Sequence, residues 1–401
     1  MPTPRAVTEP SAVTDVSIDV IIPIHTTARP LARAVASVFA AAPGMTAVRA
    51  LVICHGVSAA EMSALLPGHD PQKVVFHEFR DGIRSAAGPI NAGLAVSRAE
   101  YVFILGSDDE LLPGALRELA RAALANDGDV TFARFQTASG APFDTLLARP
   151  WAGAALDIRA DRVFYRSSPC ALIRRELLEK HELRMAEGLA TGEDQEFTAR
   201  LYSCSRVLVA PPGSGAHLTV HTDCDDRIQA RRFTCLEVTE ALRGIVGSDW
   251  FAQLPQSVRD ALAVKLLRRT LIPATESELT VWDAAGIAEV RRCLDRLNAL
   301  CPRAQEPLSL YEKERLRVLK TSQPQAGRLA RREGAQSRLR ALTSGNPLRD
   351  LSASESRLRH GLAVHAGKLR GRLAKLLTAR NNGKTTTTLT GQESGRAAEG
   401  H

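Results

Sequence analysis

Two pairs of adjacent carboxylates are the residues of this sequence best suited to chemistry. Asp108 and Asp109 lie in the run Gly106-Ser107-Asp108-Asp109-Glu110, and Glu193 and Asp194 follow Thr191-Gly192. Two carboxylates side by side are costly unless a cation neutralises them. Hard divalent ions such as Mg²⁺ or Mn²⁺ take one or two carboxylates together with substrate phosphates. A carboxylate at a helix start, partly shielded from water, can serve instead as a general base with a pKa tuned by its surroundings. Each pair also has a plainer use. Ser107 or Asp108 suits the N-cap of the helix near Pro113, and Glu193-Asp194 complements the dipole of the helix that follows.

Other residues could assist. Asn91 and Gly93, in Gly88-Pro89-Ile90-Asn91-Ala92-Gly93-Leu94, lie near a helix start, where free N–H groups suit a phosphate and glycine permits close backbone approach. Ordinary helix entry and tight packing explain the same run. His217 reads as a surface or capping histidine, whereas His221, in a loop with Asp223, Asp225 and Asp226 nearby, could approach a metal or a diphosphate. GxGxxG, GxxxxGK[ST], Gx[ST]xG and HExxH are all absent, which removes the chief support for dinucleotide, P-loop, serine-hydrolase and zinc-protease readings.

The elements that must hold these residues are those of an α/β unit. Short β-branched runs alternate with amphipathic stretches, the pattern of a mostly parallel sheet flanked by helices. Ser17 to Ile24 is a near-continuous apolar run, as a strand buried on both faces requires. Further strands are predicted at Ala50 to Cys54, Lys73 to Phe79, Tyr101 to Leu105, Val130 to Phe135 and Val207 to Ala210. Helices are expected after Pro30, near Ala59 to Leu66 and Gly88 to Ser97, after Pro113, over Ala171 to His181 and from Gly192 to about Cys204. Asp108 thus follows a buried strand at its carboxyl end, where open α/β sheets place their ligands. Gln136 to Ser168 reads as a loop-rich insertion. A Pro/Gly break spans Pro211 to Gly215, and beyond Asp225 the β signals vanish into helices at Arg227 to Ile245, Pro255 to Thr270 and Ala284 to Leu300.

With 401 residues, 44% hydrophobic and 24% charged, the chain is neither collagenous, disulfide-stapled nor wholly disordered. Four regions are expected: a disordered N-terminus (1–15), the α/β domain (16–226), a helical module (227–345) and a basic, largely disordered tail (346–401). Seven scattered cysteines without a CxxC pair indicate buried free thiols rather than a disulfide framework or zinc site. With no apolar span of 18 residues and no signal-peptide pattern, a cytoplasmic product is expected. The net charge of +8 is local. Thr321 to His401 carries 15 Lys+Arg against 5 Asp+Glu, leaving 37 basic and 39 acidic residues before it. That distribution argues against a nucleic-acid partner for the body of the chain. It leaves the tail, with an amphipathic stretch at Leu358 to Leu377, as a solvated extension or a peripheral contact with anionic lipid headgroups at the inner face of the membrane.

The order of the motifs carries more than any one of them. SIDVIIPIH, then NAGLAVSRAEYVFILGSDDELLPGAL, then GEDQEFTARLY resembles the family 2 glycosyltransferases, inverting enzymes of the GT-A fold, over about Val16 to Asp226. The resemblance implies a nucleotide-diphosphate sugar donor, a glycan or lipid-linked acceptor, and a role in cell-surface or polysaccharide synthesis. It implies donor contacts at Pro23, Ile24, His25, His55, Asn91, Gly93, Ser107, Asp108 and His221, and Mg²⁺ or Mn²⁺ at Asp108 with Asp109 beside it. Asp194 then takes the acceptor proton, with Glu193 its partner in the acidic pair. Two positions depart from the family pattern. Ile53-Cys54-His55-Gly56-Val57-Ser58 stands where acids usually follow the second strand, so that contact is missing or supplied differently, and Gly106 replaces the first acid of the DxD-type turn. Two rival readings accompany this one. A non-catalytic nucleotide-sugar or partner-binding descendant is suggested by those two positions, and a sugar nucleotidyltransferase would share the fold but needs a Gly-rich, Arg-containing first loop that Pro23 to Pro30 lacks.

Overall fold

The computed structural model describes residues 13–141, 154–210, 217–222, 232–277, 279–321, 340–353, 355–362 and 365. The first residues of the N-terminus, most of the Pro-rich part of the insertion, the Pro/Gly break, Asp223, Cys224, Asp225 and Asp226 lie outside the described residues. So do most of the stretch Leu358 to Leu377 and the polar end of the tail.

A seven-stranded sheet forms the centre, in the order β3-β2-β1-β4-β8-β6-β9. Its strands are β1 (Ile18–Ile24), β2 (Val48–His55), β3 (Val74–Phe79), β4 (Tyr101–Ile104), β6 (Val130–Phe132), β8 (Ala171–Arg174) and β9 (Val207–Val209). All neighbouring pairs are parallel except those of β8, which runs antiparallel between β4 and β6. Helices α1 (Leu31–Ala40), α2 (Ala59–Ala64), α3 (Ala87–Val96), α4 (Ala115–Asn126), α5 (Arg175–Lys180) and α6 (Asp194–Ser203) connect the strands. Successive side chains of β1 point to opposite faces, and both faces are covered. Val20, Ile22 and Ile24 cluster with Leu31, Val35 and Val38 of α1 and Leu116 and Leu119 of α4. Ile21 joins Ile53, Val102, Ile104 and Leu94 in a second cluster.

The helical part is built on that second cluster. It contains α7 (Cys235–Gly247), α8 (Asp249–Gln253), α9 (Gln256–Leu266), α10 (Ile272–Glu276), α11 (Ala284–Leu300), α12 (Leu310–Thr321) and α13 (Pro347–Ser352). Leu262 and Leu266 of α9 and Leu294 and Leu297 of α11 belong to the same buried group as Ile21. No helix among the described residues is long and apolar enough to cross a membrane.

Some sequence expectations are corrected. Ala171 to His181 is not one helix, because Ala171–Arg174 is the strand β8 and only Arg175–Lys180 is helical. A four-residue apolar run has the same pattern in a buried helix and a buried strand, and pairing with distant β4 and β6 decides it. Val130 to Phe135 is two strands: β6 stays in the main sheet, while β7 (Phe135–Thr137) joins β5 (Glu110–Leu111) and β10 (Leu218–Val220) in a small sheet. β structure also continues past Asp225, where β11 (Phe233–Thr234) pairs with β12 (Thr280–Val281). α7 begins at Cys235 rather than Arg227, fixed by a capping box of Thr234 and Glu237. The helix expected to run to Thr270 passes into a π turn at Leu267–Leu271.

Candidate active site

β1 pairs with β2 on one side and β4 on the other. The chain therefore leaves this part of the sheet in opposite directions, which opens a crevice at the carboxyl ends of the strands. A cavity of about 910 Å³ lies there. Pro23, Ile24 and His25 line it from the end of β1, His55 and Gly56 from the end of β2, and Ser107 and Asp108 from the turn after β4. Glu193, Asp194 and Gln195 line it from the start of α6, and Arg29, Arg80, Arg84 and Arg269 add positive charge suited to an anionic ligand. The two carboxylate pairs, far apart in sequence, thus each send members to one cavity.

The two pairs are used differently. Asp108 Oδ2 lies 2.6 Å from Arg29 Nη1. Asp109 does not line the cavity, and its Oδ1 accepts the His221 backbone N–H at 3.2 Å. A Cβ at Gly106 would stand 2.8 Å from Asp109 Oδ2 and 3.2 Å from Asp108 Oδ1. The turn folds its own carboxylates back over residue 106, which gives a local reason for glycine where a first acid was expected.

Asp194 is the first residue of α6, and Gly192 before it takes φ 81°, a left-handed conformation that favours glycine. Burial pushes the Asp194 carboxyl up to about 6, the charge of Lys265 opposes that rise and Glu193 adds to it. A carboxylate in this range is ionised at neutral pH yet still basic enough to take a proton, the condition for a general base.

Three expected donor contacts do not line the cavity. Asn91 is turned the other way: its Oδ1 accepts the Met185 N–H at 2.8 Å, and its Nδ2 donates to the Met185 carbonyl and to Glu187 Oε1. It ties α3 to the segment that leads into the acidic pair. Gly93 faces β1, where an added Cβ would lie 2.4 Å from Ile21 Cγ2. Gly93→Ala is therefore expected to cost about 1–3 kcal/mol by overpacking, seen as a lower unfolding temperature by calorimetry while the folded fraction keeps its donor affinity. His221 Nε2 sits 3.3 Å from Glu110 Oε2, which fastens the end of β10 to β5 rather than facing the cavity. The start of α3 does reach the cavity, through Ala86 and Pro89.

The absent acid after β2 has a counterpart elsewhere. His55 Nε2 lies 2.8 Å from Asp81 Oδ1, an acid from the segment after β3 that also accepts the Ile83 N–H. Burial would raise the Asp81 carboxyl, but these two partners together hold it below its ordinary value. Gly88 makes room for it, since a Cβ there would be 2.5 Å from Asp81 Oδ2. Sequence reading missed Asp81, Arg29, Lys265 and Arg269. Arg29 and Asp81 left a faint signal as charges just past strand ends, whereas Lys265 and Arg269 lie more than 70 positions after Asp194 and left none. The six described cysteines are free; Cys54, Cys235, Cys293 and Cys301 are buried as expected, whereas Cys170 and Cys204 are half-buried.

A parallel β3-β2-β1-β4 sheet continued by an antiparallel β8, with an acidic turn after β4 and an acidic helix start opposite the strand ends, defines a GT-A fold of the kind that handles nucleotide-diphospho-sugars. Residues 19–182 match the model of glycosyl transferase family 2, the family that the motif order resembles. The chain is 29% identical over 126 residues to the poly(ribitol-phosphate) beta-N-acetylglucosaminyltransferase TarP of Staphylococcus aureus strain N315, a stretch covering 31% of this chain and 38% of TarP. Among solved structures it is similar to S. aureus TarS 1–349 in complex with UDP-GlcNAc, with a TM-score of 0.61 and 16% identity, covering 76% of this chain and 87% of that one. The complex of TarS 1–349 with UDP aligns with a TM-score of 0.58, 17% identity and the same coverage. These structural likenesses concern the fold.

Proposed function

We propose that this chain is an inverting glycosyltransferase that moves a sugar from a nucleotide-diphosphate donor to a hydroxyl of a glycan or lipid-linked polymer in cell-surface polysaccharide synthesis. The observation that carries the reading is that Asp194, a carboxylate raised to about 6, opens into the same cavity as Asp108 and the ends of β1 and β2. The donor diphosphate would lie against the arginine-lined part, with the base near Pro23, Ile24 and His55. Asp194 would take the proton of the attacking hydroxyl as the anomeric bond to the diphosphate breaks. UDP-GlcNAc is the first donor to test, because TarS binds it. A polyol-phosphate polymer is the first acceptor to test, given the name of TarP.

No cluster of three or more ligating side chains is found among the described residues. A magnesium-type site needs no such cluster, since one carboxylate and the donor's own phosphates suffice with water. Asp108 fits that role, and a bound Mg²⁺ or Mn²⁺ would offset charge on the departing diphosphate. Calorimetric titration across a panel of UDP- and GDP-sugars with Mn²⁺ or EDTA tests both statements. One sugar nucleotide is expected to bind in a metal-dependent way, and Asp108→Ala is expected to remove that dependence. Equal affinity with and without EDTA would end the metal role, and binding without any transfer would favour the non-catalytic alternative.

We also propose that the tail meets anionic lipid. On α13, Leu348 is 81% and Leu351 57% exposed beside Arg349, and the remaining charge beyond is mostly basic. Each Lys or Arg near an anionic surface gains about 1 kcal/mol. In vesicle co-sedimentation, the full chain is expected to pellet with anionic but not neutral vesicles, and the chain ending at Leu351 with neither. Equal binding by both chains removes the tail from the reading.

A further inference from the structure

The helical module places a buried cation against Gln195, a residue that lines the cavity. Lys265, near the end of α9, is 1% exposed, although lysine is almost never fully buried without a partner. Its Nζ donates to Gln195 Oε1 at 3.3 Å, and Thr270 Oγ1 in the π turn donates to the same oxygen at 3.1 Å. Gln195 follows Asp194 directly and lines the cavity with it. A neutral amide oxygen does not compensate an enclosed ammonium, so the site calls for a nearby negative charge.

We propose that Lys265 is a positioning residue for the transfer reaction: its enclosed ammonium, held by Gln195 next to Asp194, keeps the Asp194 carboxylate ionised for the acceptor hydroxyl. The proposal rests on Asp194 being the base. It makes the helical module part of the active site, because α9 and the π turn supply the groups that hold α6 from below.

The electrostatics agree. Asp194 feels Lys265 from α9 and Glu193 from its own helix start, with Cys170 of the segment before β8 and Tyr202 of α6 farther along. Burial pushes that thiol up to about 11 and raises the phenol further, so both are neutral at working pH. Lys265 in turn feels Asp194 and Arg269, and burial lowers it to about 8. Between about pH 6 and pH 8 both members of the pair are therefore charged. Without Lys265, only a backbone hydrogen bond is left to oppose burial and Glu193 at Asp194.

Lys265→Gln removes the charge and keeps a donor for Gln195, and Lys265→Met matches the volume and removes both. Either folded variant decides the matter, with folding checked by thermal unfolding. Two readouts are compared with the unaltered chain: the pH profile of kcat/KM, and the ¹³C titration of the Asp194 carboxyl, assigned with Asp194→Asn. The acid limb and the titration are both expected to move up by about one pH unit or more, as loss of an adjacent opposite charge requires. The rate should fall about fivefold near pH 6, approach tenfold at lower pH, and recover by about pH 8. A rate lowered equally at every pH with an unmoved titration would overturn the proposal and leave Lys265 a packing residue. A moved titration with an unmoved rate profile would instead overturn the assignment of Asp194 as base.

Discussion

Asp194→Asn is expected to lower transfer by about 10²–10⁴-fold, the contribution of a positioned general base, while donor binding stays nearly intact. Asparagine keeps the shape of the side chain and still suits a helix start, so α6 should persist and the unfolding temperature should move by only a few degrees. What disappears is an acceptor for the hydroxyl proton. In the unaltered chain the rate should rise about tenfold per pH unit below about pH 6 and level off above it, because only the ionised carboxylate can act and burial has raised its pKa to about 6. In Asp194→Asn the residual rate should lose that limb. The stability carries the opposite sign. The folded carboxyl holds its proton up to about 6, whereas the unfolded one releases it near 3.8, so this group's contribution falls as pH rises through that window. Initial rates from pH 5 to 9 and calorimetry on both proteins test the two statements. Loss of donor binding together with a much lower unfolding temperature would make Asp194 a support of α6 rather than a base.

Much of this was legible because adjacent acids at strand and helix ends stand out, and because β1 is a near-continuous apolar run in which Asp19 is the one charged residue. That Asp108 and Asp194 belong to one site was implied by the resemblance in motif order, since each pair alone reads equally as helix capping, and both line the cavity. Asn91 and Gly93 show where the pattern misled. A glycine and an amide near a helix start have the same spacing whether they face a phosphate or a neighbouring strand, and here Ile21 and Met185 occupy the facing side. Gly106 read as a lost ligand, although in its turn the Asp108 and Asp109 carboxylates fold over it and would have to move for a side chain. Lys265 was illegible, and Asp81 only faintly legible, for a different reason. Each becomes relevant only through a contact made by folding, and a single charged residue at helical spacing or in a loop reads as solvated.

The same limit hid a buried ionic cluster among the described residues, and it yields the largest expected stability effect: Glu312→Ala should cost about 3–5 kcal/mol. Glu312 is fully buried, and its Oε1 and Oε2 accept Arg268 Nε at 2.9 Å and Nη2 at 3.2 Å. Arg357 Nε adds a contact at 2.7 Å from the C-terminal side. Glu312 also completes a reciprocal cap at the start of α12, accepting the Ser309 N–H while Ser309 Oγ accepts its own. Arg268 is equally enclosed and turns its remaining N–H groups to Tyr165 Oη and the carbonyls of Glu355 and Pro307. Truncating Glu312 would leave that guanidinium among mostly neutral acceptors, and breaking a buried pair from one side is far more damaging than never having built it. The expected fall in unfolding temperature is on the order of 10 °C. Burial pushes the Glu312 carboxyl up, but Arg268 and Arg357 outweigh it and hold the value below the ordinary 4.5. Its stabilisation is therefore present above that pH and lost on acidification, so Glu312→Gln, which keeps the cap, should differ from the unaltered chain less at pH 4 than at pH 7. Activity should suffer as well. Arg268 and Arg269 are neighbours in the π turn, one locked to Glu312 and the other lining the cavity, and Thr270 beside them holds Gln195. A π turn released from Glu312 should loosen its grip on the start of α6, raising KM for the acceptor at temperatures where the protein is still folded. If Glu312→Ala instead unfolds within a degree or two of the unaltered chain, Arg268 has found compensation in Glu355, and the carboxylate of the C-terminal segment is the true counter-ion.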